Sequence, residues 1–208
     1  MFSICLGWLP FGMFLTIMIE FLVLCLYAFS ILLFVIGMLW ILVPALYGLP
    51  LVPTKLSRIR KALKLVNLQP DEVLYDLGSG DGRVLIVAAR EFGAQAVGIE
   101  IGPVQRVVSW IKVFRNGVRH KVRIEAGNFY NADLGAADVV FVYATSKEIT
   151  KLAAHLEKQM KPGSRLVSIS ADFPEWEPSA FDDRDLIFVY EMPPKSGNLT
   201  TYLLKTAG

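Results

Sequence analysis

Gly78, Gly80 and Gly82 stand at alternate positions, with Asp76 ahead of them and Ser79 and Asp81 between them. Glycines so spaced let a chain turn sharply and bring its backbone against a ligand with no side chain between. If Asp76 ends a strand and Arg83 opens a helix, the unpaired N–H groups of the helix start face an anionic group, here a carboxylate. Asp76 is then placed to accept from a ligand ammonium. Glu100 follows 24 residues after Asp76, where the next strand end offers a carboxylate to the two hydroxyls of a ribose. Asn128 suits an adenine edge, with Phe129 as a stacking face. Where G-x-G-x-x-G needs its last glycine the chain has Arg83. That departs from the dinucleotide fingerprint and agrees with an S-adenosylmethionine site built from Asp76, Gly78, Ser79, Gly80, Asp81, Gly82, Glu100, Asn128 and Phe129. A tight turn with no ligand is the plainer alternative, and the acids at two successive strand ends count against it.

These residues need a sheet behind them. Short apolar runs at 73–76, 96–101, 122–126, 138–143 and 165–170 read as strands, and runs at 83–92, 104–116 and 147–160 read as helices. Strands alternating with helices imply a parallel sheet covered on both faces. Two more strand-like runs, 186–190 and 200–204, are joined by turn residues without a helix, so the sheet is expected to close with antiparallel strands. The expected fold is α/β: a Rossmann-like, mostly parallel seven-stranded sheet with antiparallel C-terminal strands.

Charge is distributed unevenly. Residues 1–54 carry one charged side chain, Glu20, while all 21 Lys and Arg lie after them. The stretch 21–43 is apolar apart from Ser30, longer than the roughly 20 residues that cross a bilayer as a helix. With no basic side chain before Lys55, a cleaved signal peptide fits poorly. Residues 1–19, broken by Gly7, Pro10 and Gly12, leave a hairpin turning near Glu20 open, and a single span is favoured. Lys55, Arg58, Arg60, Lys61 and Lys64 follow the span, which puts the remaining domain on the cytoplasmic or matrix-equivalent side. The sequon at Asn198 is then disregarded. Residues 57–65 read as a basic amphipathic helix, either resting on anionic headgroups or packing on the sheet as a lead-in. The domains are accordingly 1–46 as membrane segment, 47–69 as linker and lead-in helix, and 70–208 as the cofactor-binding domain.

Other classes are disfavoured. Cys5 and Cys25 lie in the apolar arm without a CxxC pair, and His120 and His155 have no ligand-like spacing, so no metal site is expected. Near-neutral charge after residue 54 argues against nucleic acid as a partner.

Residues 47–178 resemble the small membrane-anchored lysine methyltransferases that modify the mitochondrial adenine nucleotide translocase and the ATP synthase c-subunit, and their prokaryotic relatives. The resemblance rests on Gly48-Leu49-Pro50-Leu51-Val52-Pro53-Thr54, on Tyr75 through Arg83, on Gly98-Ile99-Glu100-Ile101, and on Phe173-Pro174-Glu175-Trp176-Glu177-Pro178. It implies a class I methyltransferase in which Asp76, Gly78, Gly80 and Glu100 hold the cofactor and residues 50–54 lie over the site. Asn128 departs from it, standing where an acid is common. The run Val142-Tyr143-Ala144-Thr145 is not the N-P-P-Y or D-P-P-Y of enzymes that methylate adenine or glutamine nitrogens. Tyr143 is the first candidate for an acceptor wall, followed by Tyr130, Phe173 and Trp176, whose aromatic faces would hold a lysine cation; each has packing as its ordinary alternative, and no general base stands out. The expected activity is protein-lysine N-methylation of a membrane-protein substrate met at the lipid bilayer. Methylation of a lipid or quinone-like molecule, and cofactor binding without catalysis, are the alternatives.

Overall fold

The computed structural model describes residues 11–46, 54–143 and 149–206. The motif residues 48–53, together with Ala144 and Thr145, therefore lie outside the described residues, as do Cys5, Gly7 and Pro10. The chain divides into two compact units after Leu39.

The first unit is helical. Helix α1 spans Phe11–Leu46 without a break, so Glu20 sits within the helix rather than at a hairpin turn. Residues 12–39 are exposed throughout, and Gly12–Leu39 is the one described helix long and apolar enough to cross a membrane. At 1.5 Å per residue those 28 residues extend about 42 Å.

The second unit is built on strands β1 (Val73–Leu77), β2 (Gln95–Glu100), β3 (Val122–Ala126), β4 (Val139–Tyr143), β5 (Arg165–Ile169), β6 (Trp176–Glu177), β7 (Ala180–Asp182), β8 (Ile187–Glu191) and β9 (Lys195–Ser196). Seven of them form one sheet in the order β3-β2-β1-β4-β5-β8-β7, and β6 and β9 form a separate pair. Strands β1 to β5 pair in parallel, and β8 runs antiparallel to both its neighbours, β5 and β7. Consequently β7 points the same way as β1 to β5, and β8 alone is reversed. Helices α2 (Leu56–Leu65), α3 (Arg83–Glu91), α4 (Pro103–Arg115) and α5 (Ile149–Gln159) accompany the sheet.

Alternation along the strands builds two cores. Tyr75, Leu77, Ile99 and Val142 share a cluster with Leu152 and Leu156 of α5. Leu74, Ala96 and Phe141 share another with Ile59 and Leu63 of α2 and Leu85 of α3. So α2 is the lead-in helix of the sheet, with Ile59, Ala62 and Leu63 fully buried. Its basic residues are largely engaged within the domain: Arg58 donates to the Asp185 carbonyl, Arg60 pairs with Glu91 at 2.8 Å, and Lys61 pairs with Asp182 and Asp185.

One expected strand is a helix. Residues 200–204 fall in α6 (Leu199–Thr206). The Asn198 carboxamide oxygen accepts from the Thr201 N–H at 2.9 Å and from its hydroxyl at 3.0 Å. That N-cap outweighs the strand preference of Thr200, Thr201 and Tyr202. The seventh strand is instead β7, which pairs through Phe181 with Phe188.

Candidate active site

The glycine turn leaves the C-terminal end of β1, which lies between β2 and the central strand β4, where open parallel sheets bind ligands. Gly78 and Ser79 donate their N–H groups to the Ile99 carbonyl at 2.9 and 3.1 Å, which fastens the turn to β2. Gly82 then begins α3 with φ of 76°. A Cβ there would lie 2.2 Å from the Ser109 hydroxyl, so glycine is required both by the backbone and by the approach of α4. Gly98 is equally constrained, because its Cβ would fall within 2.5–2.8 Å of Leu85 and Ser79.

Two carboxylates meet this turn. Glu100 is 5% exposed, and its oxygens accept from Gly80 N–H and Gly102 N–H, both at 2.7 Å. Asp76 is 4% exposed and lies opposite Gly98 in the β1–β2 register, two residues before Glu100. Strand alternation therefore places both acids on the same face. Burial pushes the Asp76 carboxyl well above the ordinary range, and the charges of Glu100 and Asp81 push it further. Among the described residues neither acid has an ion-pair partner. Two buried acids without a protein cation suit a ligand that brings its own positive charge and hydroxyl donors, as S-adenosylmethionine does.

The remaining residues of the expected site are placed differently. Asp81 turns to Arg83, at 2.8 and 2.6 Å, and to Lys112, at 2.6 Å. Burial alone would raise its pKa, but these two cations bring it down to about 2. Its side chain is thus engaged by protein. The buried Ser79 hydroxyl has no hydrogen-bond partner among the described residues and lies against Gly98, in the packing between strand and helix. Asn128 caps the 3-10 turn Phe129–Asn131, its carboxamide oxygen accepting from Tyr130 N–H at 3.0 Å. Phe129 is buried, with its ring 4.4 Å from that of Tyr130.

The aromatic candidates separate into two groups. Tyr143, half-buried at the end of β4, packs against the cluster of α2 and α3. Tyr130 and Trp176 belong to the other cluster. Tyr130 is half-buried, with the Lys151 ammonium 4.2 Å above its ring and His155 edge-on at 5.7 Å. Burial lowers the His155 pKa, opposed by a backbone hydrogen bond with Phe129. Trp176 is 5% exposed, stacked on Phe173 at 4.5 Å and edge-on to Tyr190.

Three residues gain weight only in three dimensions. The Tyr190 hydroxyl donates to the Asp172 carboxylate at 2.7 Å and accepts from Phe173 N–H at 3.0 Å, which fixes the segment after β5. Asp172 directly precedes the Phe173 to Pro178 run, and no spacing marks it. Arg83 grips Asp81 and also donates to the Thr54 carbonyl at 2.9 Å, joining the turn to residues far upstream. The bare pattern shows Arg83 only as a missing glycine.

Residues 76–180 match the family model described as the ANTKMT methyltransferase domain. A protein-lysine N-methyltransferase of Saccharolobus islandicus is 36% identical over 130 residues, which are 62% of this chain and 81% of that protein. The ATP synthase c-subunit lysine N-methyltransferase of Xenopus laevis is 27% identical over 146 residues, 69% of this chain and 64% of its own length. A solved RNA methyltransferase from Salinibacter ruber, bound to S-adenosyl-L-homocysteine, superposes with a TM-score of 0.68 and 35% identity, over 70% of this chain and 97% of that one.

Proposed function

From the premise that the chain belongs to the ANTKMT methyltransferase family, and is an S-adenosylmethionine-dependent methyltransferase, we propose that it methylates lysine in a membrane protein. The observation that carries the cofactor site is the pair of buried, cation-free acids at the glycine turn. The lysine acceptor rests on the relatives, whose named substrates differ. The Xenopus laevis protein is named for the ATP synthase c-subunit, and the Salinibacter ruber structure for RNA.

Each residue has a distinct part in this reading. Asp76 accepts from the ammonium of the cofactor, and its carboxyl ionises as that charge arrives. Each Glu100 oxygen, already holding one N–H, keeps a lone pair for a ribose hydroxyl. Gly78, Gly80 and Gly82 let the backbone approach, and Ser79 and Asp81 contribute through the main chain while their side chains hold β2 and α4. With its oxygen committed to Tyr130, Asn128 offers its NH2 to an adenine ring nitrogen, beside Phe129. When bound at Asp76, Glu100 and Asn128, S-adenosylmethionine would supply the activated methyl group to a lysine amine that has lost its proton to solvent, and would leave as S-adenosylhomocysteine. The protein supplies approach geometry and excludes water. Tyr143, in the α2 and α3 cluster, and Tyr130, in the α5 cluster with Trp176 stacked on Phe173, stay separate candidates for the acceptor wall. The face of Tyr130 already holds one lysine ammonium, that of Lys151.

The apolar helix supports membrane residence. We read residues 1–46 as a single-pass segment, 47–69 as linker and lead-in helix, and 70–208 as the catalytic domain on the cytoplasmic or matrix-equivalent side. Holding enzyme and substrate in one bilayer raises their effective concentration. The test is to incubate membranes with the enzyme and methyl-tritiated S-adenosylmethionine. Label recovered as methyl-lysine after acid hydrolysis is the expected result. Label confined to the lipid extract or to RNA would sink the lysine reading.

A further inference from the structure

Helix α4 is inverted relative to an ordinary surface helix. It buries Gln105 and Ser109 along with Val113, and exposes Val107, Trp110, Ile111 and Phe114 at 59, 58, 48 and 58%. These four lie at i, i+3, i+4 and i+7, so they form one continuous stripe. A soluble domain ordinarily turns such a stripe inward, and an exposed apolar patch rimmed by polar residues marks an interaction surface. The sequence around the stripe is basic, although Lys112 pairs with Asp81 and Arg123 with Glu125. Residues 101–124 contain six Lys and Arg and no acid. Arg115 and Arg119 are exposed and have no ion pair among the described residues.

We propose that the α4 face of the catalytic domain docks onto the surface of an anionic bilayer, with Trp110 and Phe114 in the headgroup region and Arg115 and Arg119 against the phosphates. This rests on the membrane reading of α1 given above, and assigns a second, independent contact. Apolar and aromatic residues on one side with arginines at the edge are the composition that lies in a membrane interface. Anionic headgroups answer the charge. Single-stranded RNA fits less well: Val107 and Ile111 have no face on which a base stacks, and the rings of Trp110 and Phe114 lie parallel, 6.1 Å apart, against each other. The basic face of α2, the other candidate for headgroups, is engaged by Asp182, Asp185 and Glu91.

The test uses the full chain with Cys5→Ser and Cys25→Ser, and Ile111→Cys carrying a nitroxide, reconstituted in phosphatidylcholine vesicles with or without phosphatidylglycerol. With phosphatidylglycerol, the label should become accessible to oxygen and shielded from a water-soluble nickel chelate. A label at Glu157→Cys, on exposed α5 surface, should stay open to nickel in both. Arg115→Ser should lower the docked-to-undocked ratio about fivefold, the equivalent of about 1 kcal/mol per basic residue at an anionic surface. A label open to nickel with phosphatidylglycerol, in a chain that resists carbonate extraction, would overturn the docking and leave the anchor standing. Shielding from both probes would also overturn it, since a second copy, a protein or RNA would then cover the stripe. A chain that carbonate releases defeats the anchor reading alone, and the oxygen-to-nickel contrast at residue 111 still decides the docking.

Discussion

Asp76 is costly to ionise where it sits. Its carboxyl is held above the ordinary range by burial and by Glu100, so in the free enzyme ionising it works against the fold as pH rises. In the proposed cofactor site, a ligand ammonium beside Asp76 would reverse that balance. Asp76→Asn should therefore raise the melting temperature of the cofactor-free enzyme at neutral pH while weakening S-adenosylmethionine about 10- to 100-fold, the equivalent of about 1.5–3 kcal/mol for a charged hydrogen bond. Calorimetric titration should show wild-type affinity rising with pH as Asp76 ionises, and a flatter profile for the variant. Loss of melting temperature together with affinity would mean that Asp76 is structural. Gly98→Ala tests the neighbouring packing. Its methyl group must displace Leu85 or Ser79, and a drop of about 1–3 kcal/mol in unfolding free energy is expected by denaturant titration.

At the scale of elements, α3 and α4 are clasped by Asp81, which Arg83 and Lys112 hold together. Its folded pKa, about 2, lies below the unfolded value. That stabilisation is complete above pH of about 4 and is lost as pH falls toward 2. Acid unfolding followed by circular dichroism should show a shallower loss in Asp81→Asn over that window than in wild type. The sequence carried much of this architecture. Glycines punctuated α3 and α4, and apolar runs marked β1 to β5, because period and breakers act locally. The last helix was missed because Thr200, Thr201 and Tyr202 favour strand, and the Asn198 cap that decides otherwise is a single side chain. The brief β7 was missed because only its pairing with β8 defines it. At the site, the acids at the ends of β1 and β2 were legible from spacing. That the Asp81 side chain faces two cations, and that Trp176 lies under an aromatic stack, depends on tertiary contacts that no spacing encodes.

For the whole molecule, the expectation is that α1 holds the enzyme in the bilayer. The full chain expressed in membranes should resist carbonate extraction, and a chain in which Leu24, Ile31 and Phe34 are replaced by Arg should be released, because a charge at mid-bilayer costs about 2.5–3.5 kcal/mol per residue on insertion scales. Release of the wild-type chain would end the single-pass reading. If the chain is anchored, the bond from Arg83 to the Thr54 carbonyl acquires a mechanical meaning. A pull on the chain at Thr54 would load the guanidinium bonded to its carbonyl. The guanidinium passes that load to Asp81, in the middle of the glycine turn. A pull arriving at Thr54 would then be felt in the glycine turn, the loop proposed to hold the cofactor.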